Sequence, residues 1–544
     1  MDGNTAVAVA TEPDDRAPAG VTVHARPRPP VGRWLLEALG PVALVVATLR
    51  LHDMATALRL PYWLDEAWVA ASTRYGFGDL LSVTSSTPVG WTFLLHLVPS
   101  TDKLRLLPIA FLVVSVVAGY ALASAVRWPT TAHRVIAGLA TGGAVALLPA
   151  QQLRHDLKQY TADAAFALIL LAVTALVETT YSRGRLALLV ATATVAVLVS
   201  HTATLVGACA VGGLFLAAAV RREWRRAAAA ALAGLAMLAV FVVSYLVLAR
   251  GGDNSSMEDF WVDYFPRIDQ LGPYLAGRFS ALQPYLGVTW QWLLILALAG
   301  VVTIGRLGRP ALAWACGLVP LAAVVAGVAR QYPLLDLRTS HYLLVVLVAL
   351  AAIGAVGTVT WLAGLATRRS RAAGAVIAGV VLAAILGGYV WATADWIRFD
   401  GRSATLRVRI AATSEDVRRP TRFVYSHRKP GDVVMVTGSG AYGFAVYWRD
   451  RPGYHKDPNF AVGWQPTYTD DRIILLSGRD QASIHAGIQR ATALAAQAGP
   501  EAVVWVVRSH MVADERAAWD AELAGLTVEG TPSGPEAALR IVAW

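Results

Sequence analysis

Residues 60–72 read LPYWLDEAWVAAS. Two adjacent acids, Asp65 and Glu66, stand there among Trp63, Leu64 and Trp68, just after the first long apolar run of the chain. What surrounds this stretch decides the fold. A helix needs about 20 mostly apolar residues to cross a bilayer. By that measure spans are expected near 34–53, 104–126, 133–150, 161–179, 186–200, 203–220, 227–249, 286–304, 311–329, 342–365 and 373–396. The segment PVGWTFLLHLV at 88–98 is too short to cross and fits a helix lying in the membrane interface. Composition agrees: the 544 residues are 56% hydrophobic and 15% charged, against about 25% charged in a soluble protein.

The net charge of +10 would suggest nucleic acid in a soluble chain, but in a membrane protein its placement matters first. Lys and Arg collect in cytoplasmic loops. With the N-terminal tail in the cytoplasm, the alternate loops carry Arg127 and Arg134, Arg183 and Arg185, RREWRR at 221–226, Arg306 and Arg309, and RRSR at 368–371. The other loops are mixed or acidic. Counting 88–98 as a span would invert every later loop and break this pattern. About eleven transmembrane helices in the plasma membrane and an exported C-terminus are therefore expected. Residues 1–32, acidic and then Pro- and Arg-rich, read as a disordered cytoplasmic tail. Cys209 and Cys316 lie far apart in apolar runs and read as small core residues.

The transmembrane region is expected to run from 33 to 396. Beyond it the apolar runs shrink to strand length: DVVMV at 432–436, RIILLS at 472–477, AVVWVV at 502–507 and ALRIVAW at 538–544. Between them QASIHAGIQRATALAAQA at 481–498 reads as a helix. Alternating strands and helices predict an exoplasmic α/β domain over 397–544.

Under this topology Asp65 and Glu66 fall in the first exoplasmic loop. Two solvated loop acids would be the plain reading. Two further polar clusters weigh against it. QQLRHDLKQYTAD at 151–163 packs Arg154, His155, Asp156, Lys158 and Tyr160 into a short turn between spans. RQYPLLDLRTSHY at 330–342 offers Arg330, Tyr332, Asp336, Arg338, His341 and Tyr342. Cations and a phenol at the interface suit a lipid phosphate; anchoring to head groups is the alternative. Acids in one loop and cations in two others favour one shared site.

These residues resemble the GT-C superfamily of membrane glycosyltransferases, close to its protein mannosyltransferase and aminoarabinose transferase branch. The resemblance is carried by WLDEA at 63–67, the TP pair at 87–88, LRLLP at 104–108, KQYTAD at 158–163 and the RT at 338–339, and covers roughly 34–350. It implies an inverting glycosyltransferase that takes a sugar from a polyprenyl-phosphate donor to an exoplasmic glycan, lipid or protein acceptor of the cell envelope. It implies Asp65 as the catalytic base, with Glu66 binding acceptor or supporting Asp65. Lys158, Tyr160 and Arg338 would hold the donor phosphate. Many relatives carry an acid directly in the second-loop motif; here His155 and Asp156 are both candidates. Some members use a divalent cation. Asp65, Glu66 and Asp156 could offer oxygen ligands, but nothing in their spacing demands a metal.

Other features are less specific. GSGAYG at 438–443 spells G-x-G-x-x-G after a strand, which fits either a dinucleotide site or a plain Gly-rich strand-to-helix turn. The absence of an acid ending a second strand, and the exported location, favour the turn. His201 sits at a helix junction and fits either a contact with the site or, more simply, a satisfied junction histidine. The long acidic and aromatic loop at 250–285 suits a gate over the acceptor, with Asp259, Trp261 and Asp263 its best candidates. The rival classes are a transporter or lipid flippase, and a non-catalytic scaffold. A transporter keeps charges within spans and often shows inverted repeats; here the charges cluster at one face.

Overall fold

Each of the eleven apolar stretches coincides with a helix. The computed structural model describes residues 31–52, 54–84, 86–249, 260–366, 371–397, 416–457, 462–531 and 538–544; the tail at 1–30 and Asp259 lie outside them. The long helices are Val31–Leu51, Leu106–Ser124, Thr131–Leu147, Tyr160–Thr179, Arg183–Val199, Ala203–Val220, Trp224–Ser244, Trp290–Arg306, Pro310–Val328, His341–Ala366 and Arg371–Ile397. Among the described residues six helices are long and apolar enough to cross a membrane, or seven if a pair bent by 94°, Ile268–Tyr285 and Trp290–Arg306, is one span. The chain is thus a multi-pass membrane protein. Lipid offers no partner for a backbone N–H or C=O, so a helix is the form that apolar stretches of this length adopt.

Local chemistry sets several ends. Thr130 and Ser182 accept the backbone N–H groups of His133 and Arg185 through their side chains, and Pro310 opens its helix where no N–H is needed. Inside the bundle, small residues let backbones meet. A Cβ on Gly354 would stand 2.0 Å from the Leu296 carbonyl oxygen, and one on Gly300 2.1 Å from that of Leu350. Glycine alone permits this crossing of His341–Ala366 with Trp290–Arg306. Tyr160–Thr179 and His341–Ala366 are the most enclosed of the six candidate spans.

The segment 88–98 forms the short helix Val89–His96. It lies against the end of Arg183–Val199, where a Cβ on Gly90 would come 2.5 Å from the Leu198 carbonyl oxygen. The stretch read as a loop at 250–285 instead contains the helix Leu271–Leu282.

The C-terminal region is α/β. Strands β1 (Val433–Val436), β4 (Ile473–Leu475) and β5 (Val504–Val507) run parallel, and β7 (Leu539–Ala543) and β6 (Thr527–Gly530) extend the sheet antiparallel, in the order β4-β1-β5-β7-β6. A separate hairpin joins β2 (Gly453–Lys456) to β3 (Trp464–Thr467). Because side chains alternate along a strand, Val433 and Met435 face a core shared with the helices Gln481–Ala498 and Ala513–Leu523. Val434 and Val436 face the other, with Val424, Phe444 and Trp448. That second layer holds the helices Arg418–His427 and Ala441–Tyr447. The GSGAYG stretch forms the turn Gly438–Gly440 and opens the latter helix.

Candidate active site

The helix Leu64–Ser72 carries both acids in its first turn, where the helix dipole favours negative charge. Glu66 also accepts the Trp63 backbone N–H at 3.3 Å. Consecutive helical residues point about 100° apart, so the two carboxylates separate. Glu66 turns inward and is 1% exposed; the Asp65 side chain keeps 14%.

Glu66 meets Arg105, the residue that precedes Leu106–Ser124. Arg105 Nε donates to Glu66 Oε1 at 2.8 Å and to the His155 carbonyl at 2.9 Å. Its Nη1 donates to the carbonyls of Ala57 at 2.9 Å and Leu60 at 2.6 Å. Its Nη2 serves Pro61 at 2.8 Å and completes the pair with Glu66 Oε2. One buried guanidinium therefore fixes the approach to the LDEA helix and the turn at 155. Arg105 lies within the LRLLP stretch at 104–108, but its pairing with Glu66, 39 positions away, leaves no local signal in the sequence.

Asp65 meets the cations of the other two loops. Its Oδ2 lies 2.8 Å from Arg338 Nη1 and 3.4 Å from Lys158 Nζ. Lys158 stands 5.5 Å over the Trp68 ring. Arg338 lies 5.9 Å from both Trp63 and Trp261. Burial works against the Arg338 charge, but Tyr160, Asp65, Asp156 and Asp336 more than offset it and hold its pKa above the usual value.

The two cations are presented by the same device. In Asp156-Leu157-Lys158 the acid accepts the backbone N–H of Lys158 at 3.2 Å. In Asp336-Leu337-Arg338 the acid accepts that of Arg338 at 2.9 Å and that of Thr339 at 3.0 Å. An Asp bonding the N–H two residues on makes a tight turn. Trp91 on the short helix Val89–His96 secures the first turn by donating to the Leu157 carbonyl at 2.6 Å.

Around this centre, His155, Asp156 and Tyr160 are all buried. Asp163 accepts the Ser200 hydroxyl at 2.6 Å. At the adjoining junction, His201 is exposed. Trp261 joins the site through Arg338, whereas Asp263 is exposed. Among the described residues no three His, Cys, Asp or Glu side chains gather as a metal set; Glu66 turns to Arg105, away from the other acids.

The arrangement places one accessible carboxylate beside two cations at the rim of aromatic rings. Such a site can bind an anion, stack a ring and accept a proton. All its parts lie at one end of the bundle, where the C-terminal domain also sits: Arg418 donates to the Arg59 carbonyl at 2.9 Å.

No protein-family model matches the sequence, and no curated protein does. Among solved structures the chain is similar to ArnT from Cupriavidus metallidurans bound to undecaprenyl phosphate, with a TM-score of 0.50 and 14% identity over 94% of this chain and 98% of that one. The apo state of ArnT gives 0.49 and 15%, over 93% and 98%. The archaeal oligosaccharyltransferase AglB from Archaeoglobus fulgidus, in complex with an inhibitory peptide and a dolichol-phosphate, gives 0.46 and 13%, over 88% and 70%. At these identities the likeness to ArnT is one of fold, and it is the GT-C fold that the motifs of the sequence resemble.

Proposed function

We propose that this GT-C-fold protein is an inverting glycosyltransferase that uses a polyprenyl-phosphate sugar and acts at the exoplasmic face of the plasma membrane. The observation that carries the reading is the contact of Asp65 with both Arg338 and Lys158. A base and a phosphate cradle drawn from three separate loops are what this transfer needs. Asp65 takes the proton of an acceptor hydroxyl as its oxygen attacks the anomeric carbon. The bond from that carbon to the phosphate oxygen breaks, its electron pair leaves with polyprenyl phosphate, and the configuration inverts. Negative charge grows on the leaving oxygen, where fixed cations help most. Lys158 and Arg338, with Tyr160 beside them, fill that role. Glu66 acts through Arg105 to hold the helix. His155 and Asp156 line the donor side, with Asp156 also shaping the turn of Lys158. Trp261 offers a ring face to the acceptor sugar or lipid, and the acids on either side of it in sequence, Asp259 and Asp263, would meet the acceptor's hydroxyls. The acceptor is a glycan, lipid or protein of the envelope. ArnT bound to undecaprenyl phosphate supports a lipid-phosphate donor.

The test uses protein in lipid, a panel of radiolabelled polyprenyl-phosphate sugars and a membrane extract as acceptor source. Wild type is expected to transfer from one donor, and Asp65→Asn to lose about 10²–10⁴-fold of that rate while folding normally. Transfer that survives in Asp65→Asn would remove Asp65 as the base.

A further inference from the structure

The helix that carries Asp65 is packed on two sides. On one side lie Trp91 and Leu95 of the short helix Val89–His96 and Leu104, Leu157, Ala162 and Val199 of the helix bundle. On the other lie Tyr442, Ala445 and Val446 of Ala441–Tyr447 and Trp464 of β3, and all belong to one continuous apolar cluster. The C-terminal domain therefore shares in the packing of this helix.

Polar contacts fasten the same joint. Arg74, just past the helix, donates to the carbonyls of Trp448, Arg449 and Asp450 at 3.0, 3.0 and 3.1 Å. Tyr75 donates to the Gly453 carbonyl at 3.0 Å. At the other end of the helix, the Tyr62 backbone N–H donates to the Tyr447 hydroxyl at 3.0 Å, and the two rings stack with centroids 6.1 Å apart and 13° between planes. Tyr62 begins the irregular 62–63 entry to the helix. Arg105 holds the carbonyls before it from the membrane side, and Tyr447 holds its N–H from the domain side.

From this geometry we propose that Tyr447 is a positioning residue for Asp65, through which the C-terminal domain sets the aim of the base. The inference rests on the transfer reaction proposed above. Arg105 holds the Pro61 carbonyl and stands 4.8 Å over the Tyr62 ring, while Tyr447 holds the N–H of the same planar peptide unit. A base that drifts by about 1 Å loses rate without losing substrate affinity. Tyr447 touches none of the reacting groups, and its hydroxyl acts only through the Tyr62 backbone.

Tyr447→Phe keeps the ring stack and removes the hydroxyl. In the full-length protein in lipid, kcat is expected to fall about tenfold with the donor KM unchanged within about twofold. In an Asp65→Asn background the same change should leave residual turnover where it was. A further multiplicative loss there, or an unaltered kcat in the single variant, would overturn the proposal. Hydrogen exchange separates this from a failure of the proposed reaction. Tyr447→Phe should speed exchange at 62–66 and leave β1 and β5 protected, whether or not a donor has been found. Unchanged exchange at 62–66 would overturn the positioning role by itself.

Discussion

The two ends of the helix bundle both carry arginines, and they use them differently. At the end away from the site, Arg309 donates to the Ala125 carbonyl at 2.9 Å and Arg185 to that of Leu176 at 2.7 Å. These guanidiniums cover the carbonyls that helices leave open at their C-terminal ends. Glu178 does the converse, accepting the backbone N–H groups of Ala311 and Leu312. At the site end, Arg105 and Arg338 each meet a carboxylate from the LDEA helix. Charge at the first end closes helices; charge at the second end draws three separate segments together. An Asp two residues before the cation marks the second kind in Asp156-Leu157-Lys158 and Asp336-Leu337-Arg338.

This contrast has measurable consequences. Removing Glu66 leaves Arg105 buried without its counter-charge, so Glu66→Gln is expected to cost about 3–5 kcal/mol in unfolding experiments in detergent. The pair Arg134–Glu37 at the opposite end is 30% and 29% exposed at 3.4 Å; Arg134→Ala should cost at most about 1 kcal/mol. Equal losses would erase the distinction between the two ends.

Arg338→Ala should lower transfer by about 10²–10³-fold, as for loss of a group that stabilises a developing oxyanion. Arg338→Lys should recover only part of it, since a lysine lacks the planar fork that lies between Trp63 and Trp261. Full recovery would show that charge alone matters there.

Much of the architecture is legible because bilayer thickness imposes itself on sequence. All eleven apolar stretches are helical, and β1, β4, β5, β7 and the helix Gln481–Ala498 fall where the pattern places them. Three strands escape. GYHK and TVEG, the strands β2 and β6, are short, mostly polar and largely exposed, so they carry no alternating apolar signal. β3, WQPT, holds a proline that argues against a strand. Leu271–Leu282, with its glycines and proline, reads as loop. At the candidate site the charged clusters are visible as clusters, but pairing is not. That Glu66 faces Arg105 while Asp65 faces Arg338 depends on the turn of one helix against two others. The contact of Tyr62 with Tyr447 spans 385 positions and leaves no local trace.

That separation also sets a clock on biogenesis. A ribosome adding about 5–20 residues per second needs roughly 20–80 s to travel from Tyr62 to Tyr447. For that interval the LDEA helix is already made, yet one of its two packing partners does not exist. The nascent chain thus passes through a stage in which Trp68 and Tyr75 lack the rings of Tyr442, Tyr454 and Trp464 that cover them in the folded protein.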